Sequence, residues 1–334
     1  MDGGFIPALF TDHTLRVVGL GAGAVGALAG SLGCFALLRR QSLLGDAVSH
    51  AALPGIALAF LLTGSRATPV LVLGAAVAGW LGTLLVMAVI RHSRIPEDSA
   101  LGILLSVFFG VGLVLLTFLQ RGPTAAQAGL DTFLFGQAAT LLVQDVILVL
   151  SVGTVALLLL TLSWKEVKLL SFDREFGRVQ GIEMGRVDVL LTSLLVVAIV
   201  LGLQTVGVVL MSALVVAPAA AARQWTDSLG RMVVLAGALG AGAGVGGAWV
   251  STLGDGIPTG PAIVLLASTV VAVSILAAPR RGILWDRIRR RRVHSRIRRG
   301  DLVPPGAGQT AAQAPSGGSI PMASPGAHGG GRED

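Results

Sequence analysis

Residues 43–62 read LLGDAVSHAALPGIALAFLL, a stretch long and apolar enough to cross a bilayer as a helix, yet one that carries Asp46 and His50 within it. An ionisable side chain at membrane depth costs roughly 2.5–3.5 kcal/mol on insertion scales, so it faces a cavity, a partner or a substrate. The i,i+4 spacing stacks the two on one helix face, about 5–6 Å apart at Cβ. A carboxylate oxygen and an imidazole nitrogen at that separation suit a divalent first-row metal such as zinc, manganese or ferrous iron. The spacing is equally compatible with polar glue, in which the pair bond each other or a neighbouring helix. Pro54, one turn on, predicts a kink beside the pair.

The rest of the chain gives the stretch a membrane context. Of 334 residues, 53% are hydrophobic and 13% charged, and the mean hydropathy is +0.80, which excludes a water-soluble domain. The expected fold is an all-α polytopic bundle. Spans are predicted near 15–38, 43–62, 68–90, 99–119, 143–162, 187–204, 206–222, 231–252 and 259–278. An eight-span alternative makes the short, proline-containing 206–222 re-entrant. The first apolar segment has an acidic leader and the length of a full span, so no cleavable signal is predicted.

Several local patterns bear on packing and on helix ends. GAGAVG (21–26) fits the dinucleotide pattern GxGxxG, and GAGVGG (242–247) looks similar. No strand precedes either, so both predict close helix packing through small residues. Cys34, the single cysteine, excludes an internal disulfide and reads as a small packing residue. Glu97 and Asp98 suit the positive end of the helix that follows them. GLDTFLFGQAATLL (129–142) predicts a short interfacial helix. Asp145, near the start of the fifth span, is expected to reach water. Pro218 predicts a kink in a helix lining a pathway.

Between Ser163 and Asp188 runs SWKEVKLLSFDREFGRVQGIEMGRVD, with the only lysines, Lys165 and Lys168. By composition it is a solvated connector. Two motifs say more. GDAVSHAALPGIALAFLL resembles the second transmembrane helix of the bacterial metal-type (zinc and manganese) ABC permeases, and SFDREFGRVQG (171–181) resembles that family's segment carrying the helix that couples to the ATPase. The LFG of residues 134–136 and the Pro218 and Arg223 positions are similar as well. The resemblance covers approximately residues 10–280. It implies a metal-handling role for Asp46 and His50, and ATPase coupling through Phe172, Asp173, Glu175 and Gly181. It further implies a cytoplasmic ATP-binding subunit, an extracytoplasmic metal-binding protein and a second permease, with a homodimer the simplest pairing. Gly177 stands where the family often has Ala. In a helix interior that weakens the helix by roughly 1 kcal/mol, so the helix there is expected to be short or to form on binding.

Charge sets the orientation. With the N-terminus outside and nine crossings, Arg39, Arg40, Arg91, Arg94, Lys165, Lys168, Arg174, Arg178, Arg186, Arg223 and Arg231 lie inside, and only Arg16, Arg66 and Arg121 outside. The C-terminus is then cytoplasmic. Residues 280–334 hold 11 arginines against Asp286, Asp301, Glu333 and Asp334, which accounts for the whole net charge of +7. The organisation expected is a permease domain (1–279), a basic juxtamembrane segment (280–299) held by anionic lipid head groups, and a disordered Pro/Gly/Ala/Ser tail (300–334). No nucleic-acid-binding fold accompanies the basic run.

The sequence contains no G-x-x-x-x-G-K-[ST] phosphate loop, so no ATPase site of its own and no permanently bound cofactor are expected. The function expected is a non-enzymatic permease subunit importing zinc, manganese or iron across the bacterial cytoplasmic membrane. Its alternatives are a permease for a metal chelate such as a siderophore, and an ion-coupled secondary transporter. An intramembrane hydrolase built on Ser49 and His50 fails on geometry, because adjacent side chains point about 100° apart on a helix.

Overall fold

The computed structural model describes residues 13–65, 67–120, 136, 138, 141–254, 257–278 and 282. Among the described residues there are helices and no strands. They are α1 (His13–Leu38), α2 (Leu44–Thr63), α3 (Thr68–His92), α4 (Glu97–Gln120), α5 (Val143–Leu162), α6 (Trp164–Phe172), α7 (Arg174–Val179), α8 (Met184–Val206), α9 (Val208–Trp225), α10 (Leu229–Ser251) and α11 (Thr259–Ala277). All but α6 and α7 are long and apolar enough to cross a membrane, 9 in total. The chain is a multi-pass helical membrane protein. Most of the 206–222 stretch lies in the 18-residue helix α9, in line with nine spans rather than eight. Most of the 129–142 segment, the basic run but for Gly282, and the whole 300–334 tail lie outside the described residues.

Lipid offers apolar side chains no gain on leaving it, so helices in a bilayer associate by close packing, and small residues permit the closest approach. Helix α1 is the axis built on that rule, with Leu32 and Phe35 fully buried. It lies along α10 on a seam of glycines. A Cβ added to Gly26 would sit 2.1 Å from the carbonyl oxygen of Gly240, and one on Gly240 2.1 Å from that of Gly26. The seam continues through Gly30 against Ala236 and Gly244 against Ala22, at 2.4 and 2.3 Å from their carbonyl oxygens. Both nucleotide-like motifs are thus packing surfaces. Cys34 lies on the same seam, fully buried, its Sγ 3.6 Å from the Met232 carbonyl.

Helices α3, α4, α5 and α11 turn long apolar side chains outward, among them Leu73, Val114, Phe118, Leu158 and Leu265, as lipid-facing helices do. Between α8 and α9 the chain breaks at Gly207, whose φ of 90° and ψ of 163° only glycine adopts without strain. Pro218 sits inside α9 without ending it and is buried against α1 near Gly30.

Asp145 departs from expectation. It is 5% exposed, because the start of α5 packs on α1 at Gly21 through Leu141 and Val146. Its carboxylate turns back to accept the backbone N–H of Leu142 at 3.0 Å, satisfying an open donor at the helix start. Glu97 and Asp98 lie in the first turn of α4 rather than ahead of it, and Glu97 accepts a hydrogen bond from the Gln41 side chain.

Candidate functional site

Asp46 lies in the first turn of α2 and His50 in the second. His50 Nε2 is 3.5 Å from Asp46 Oδ1, too long for a good hydrogen bond between them. It matches an edge of a metal tetrahedron, since two donors each about 2.1 Å from the centre lie about 3.4 Å apart. The side chains are 14% (His50) and 33% (Asp46) exposed, so both are partly buried, with Asp46 the more accessible. The pair fits a divalent cation by donor type and separation.

The surroundings fix the imidazole. The ring of Phe109, on α4, meets it edge to face with centroids 4.7 Å apart at 78°. The other ring nitrogen, Nδ1, is buried without a hydrogen-bond partner. Pro54 supplies no N–H to the carbonyl of His50 four residues back, so the helix is one backbone bond short beside the pair. Pro54 is itself buried, with Gly112 of α4 packed over it: a Cβ there would stand 3.0 Å from Pro54 Cδ. Phe109 was not legible as part of the site, since nothing in its local sequence ties it to His50. Ser49 is fully buried and bonds the Gly45 carbonyl at 2.7 Å, turned away from His50.

Among the described residues no group of three or more His, Cys, Asp and Glu side chains could hold a metal. Asp46 and His50 thus stand as a pair, with no third such side chain grouped with them among the described residues.

The second site is the corner formed by α6 and α7. The 163–188 run, read from composition as a connector, forms two helices separated at Asp173. The Asp173 carboxylate caps α7 by accepting the Phe176 N–H at 2.9 Å, so this residue shapes the corner. Gly181, at φ 79°, turns the chain out of it. Gly177 is buried, and a Cβ there would meet Met184 Cε at 1.9 Å, so the flexible end of the Met184 side chain would have to yield; α7 itself is short, at six residues. Phe172, Phe176 and Val179 remain 58, 50 and 84% exposed, and Glu175 is exposed beside them. Phe176 and Val179 were missed in the sequence; three residues apart on α7, they share one face of it. The site residues therefore fall in two places, Asp46 and His50 on α2 and Phe172 to Gly181 at the corner.

A bundle of this form, with an acid and an imidazole paired on one helix and a surface corner of exposed aromatics, is a membrane transport subunit. The profile of the ABC 3 transport family matches residues 11–278, and the chain belongs to that family. It is similar to the zinc transport system membrane protein TroC of Treponema pallidum, at 52% identity over 85% of this chain and 96% of that one. It is 48% identical over 82% of its length to the manganese transport system membrane protein MntC of Bacillus subtilis, spanning 63% of that longer protein. Among solved structures, it superimposes on PsaBC from Streptococcus pneumoniae in complex with Fab with a TM-score of 0.73 and 33% identity, covering 83% of this chain and 96% of that one.

Proposed function

We propose that this chain is the permease of an ABC importer that carries a divalent transition metal, zinc, manganese or iron, into the bacterial cytoplasm. The observation that carries the reading is the pair of Asp46 and His50 at a metal-edge separation of 3.5 Å. The zinc and manganese systems to which TroC and MntC belong support the same cargo. Bulky chelates, by contrast, have no need of two first-row-metal ligands in a helix. Cells lacking the chain, grown with each metal limiting in turn, should accumulate less of one of the three. Unchanged content of all three would sink the reading.

Energy comes from a cytoplasmic ATP-binding subunit seated on the α6–α7 corner, and cargo from an extracytoplasmic metal-binding protein. The N-terminus lies outside and the C-terminus in the cytoplasm, where the lysine and arginine bias puts them. Two copies of the chain pair across a two-fold axis, so that two Asp46 and two His50 side chains complete a four-ligand shell.

Docking on the corner has a direct test. Combining Phe172→Ala with Glu175→Lys removes an exposed aromatic and reverses its charged neighbour. Co-purification of the ATP-binding subunit should drop by about tenfold or more, the cost of losing one interface anchor, while membrane abundance holds. Recovery of that subunit at the wild-type level refutes the docking surface.

The tail is dispensable on the same reading. Deleting residues 301–334, which follow the lipid-held basic run, leaves metal uptake near the wild-type rate in whole cells. A truncated protein that is abundant in the membrane yet transports nothing would show that the tail has a role in transport.

A further inference from the structure

The two functional places are far apart in sequence but are joined by ions at one end of the bundle. Asp188, in the second turn of α8, is 14% exposed and spends both carboxylate oxygens on arginines from two other segments. Oδ1 accepts from Arg39 Nη2 at 2.5 Å, and Oδ2 from Arg174 Nη2 at 3.3 Å. Arg174 is the first residue of α7, at the docking corner. Arg39 lies just past the end of α1, where its side chain is 11% exposed and its Nη1 is buried without a partner. Among the described residues, Asp188 is its one counter-charge.

From Arg39 the chain reaches Asp46 through a single tight turn. The Gln41 N–H closes back on the Ala36 carbonyl at 2.9 Å, and the Leu44 N–H on that of Gln41 at 3.1 Å. Arg40 is held at φ 61°, a left-handed conformation that costs a residue with a side chain some strain. The Gln41 side chain is tied to Glu97 at the start of α4, the helix that carries Phe109. A turn pinned in this way moves as one piece with the first turn of α2.

We propose that Asp188 is the positioning residue that links the docking corner to the metal pair: through Arg174 it holds α7, and through Arg39 it holds the turn that starts α2. This rests on the reading that residues 172–181 seat the ATP-binding subunit. A displacement of α7 on ATP binding is passed to Arg39 through one shared carboxylate, and the 39–43 turn carries it to Asp46 and His50.

The test uses the assembled importer, permease with its ATP-binding subunit and binding protein, in proteoliposomes supplied with zinc or manganese. It reads metal delivered per ATP hydrolysed. Arg174→Gln, at a side chain 45% exposed, removes the corner arm alone, and Asp188→Asn removes the charge from both. Each should still bring down the ATP-binding subunit but deliver at least about fivefold less metal per ATP, the low end of a coupling free energy between sites. Asp188→Glu should restore most of the ratio. A merely structural ion pair would lower the yield of complex and leave the ratio per complex unchanged. The relay is overturned if Arg174→Gln keeps the wild-type ratio, even where Asp188→Asn accumulates poorly. It is overturned as well if Arg174→Gln abolishes co-purification, because Arg174 would then be a docking contact. Failure of the docking reading shows separately, as undiminished co-purification with Phe172→Ala and Glu175→Lys.

Discussion

Metal uptake is expected to fall to background in permeases carrying Asp46→Asn or His50→Ala, with the complex still assembled. On the proposed reading, each substitution removes one of two ligands from every copy, and therefore two of four from the paired site. Loss of a mere outer-shell partner costs 10–100-fold in metal affinity, so loss of ligands should exceed about 100-fold. Asp46→Asn is the sharper variant. It keeps the size and hydrogen-bonding capacity of the side chain but removes the negative charge that offsets stripping water from a dication. Radiometal uptake into cells expressing each variant at wild-type abundance is the measurement, and transport at the normal rate by either one refutes the site. The paired geometry has its own check: cysteines introduced near position 50 in two copies should cross-link where their Cα atoms come within about 7 Å, and second helices found far apart would refute the pairing. Cys34, fully buried, stays out of that reaction.

The second large effect concerns the α1–α10 seam, and a matched pair of glycines on α10 isolates it. Gly240 faces the Gly26 carbonyl, and any Cβ must push two backbones apart. Gly242, two residues on, has nothing within 4 Å of an added Cβ. Gly240→Leu should therefore lose about 3 kcal/mol or more, at or beyond the upper end for an overpacked interior, and should yield little folded permease. Gly242→Leu should be neutral, or up to about 1 kcal/mol more stable through better helix propensity. Thermal unfolding of both in detergent decides between them. Equal destabilisation would mean that close approach at Gly26 is not what holds α1 to α10.

What could be seen beforehand divides along the range of the interactions. The spans were legible because membrane helices declare themselves in one continuous apolar run, and α5 spans the very residues expected, Val143–Leu162. The closeness of Asp46 to His50 was legible because an i,i+4 pair is local geometry. The neighbour of Gly177 was not, since Met184 folds back onto it from the next helix. The burial of Asp145 was illegible for the same kind of reason: its place near a helix start was visible, but the α1 surface that covers it was not. Phe109 and Asp188 carry no local mark at all, because the partners that define them, His50 in one case and Arg39 with Arg174 in the other, come from distant parts of the chain. The α6–α7 corner was half visible, its motif recognisable but its break at Asp173 hidden among polar residues that composition reads as a loop.

The glycine seam also has a history within each molecule. Ser31 Oγ and the Val233 carbonyl, 3.5 Å apart in the finished seam, lie 202 residues apart along the chain. At a synthesis rate of roughly 5–20 residues per second, α10 leaves the ribosome on the order of 10–40 s after α1. During that interval the first helix sits in the membrane with its glycine face open to lipid or to the insertion machinery. Its own apolarity must keep it threaded while helices α2 to α9 arrive around it. The seam therefore closes late, ahead only of α11, whose Ile263 packs on Gly247, and until it closes the nascent permease leaves that glycine face open to mispairing and proteolysis.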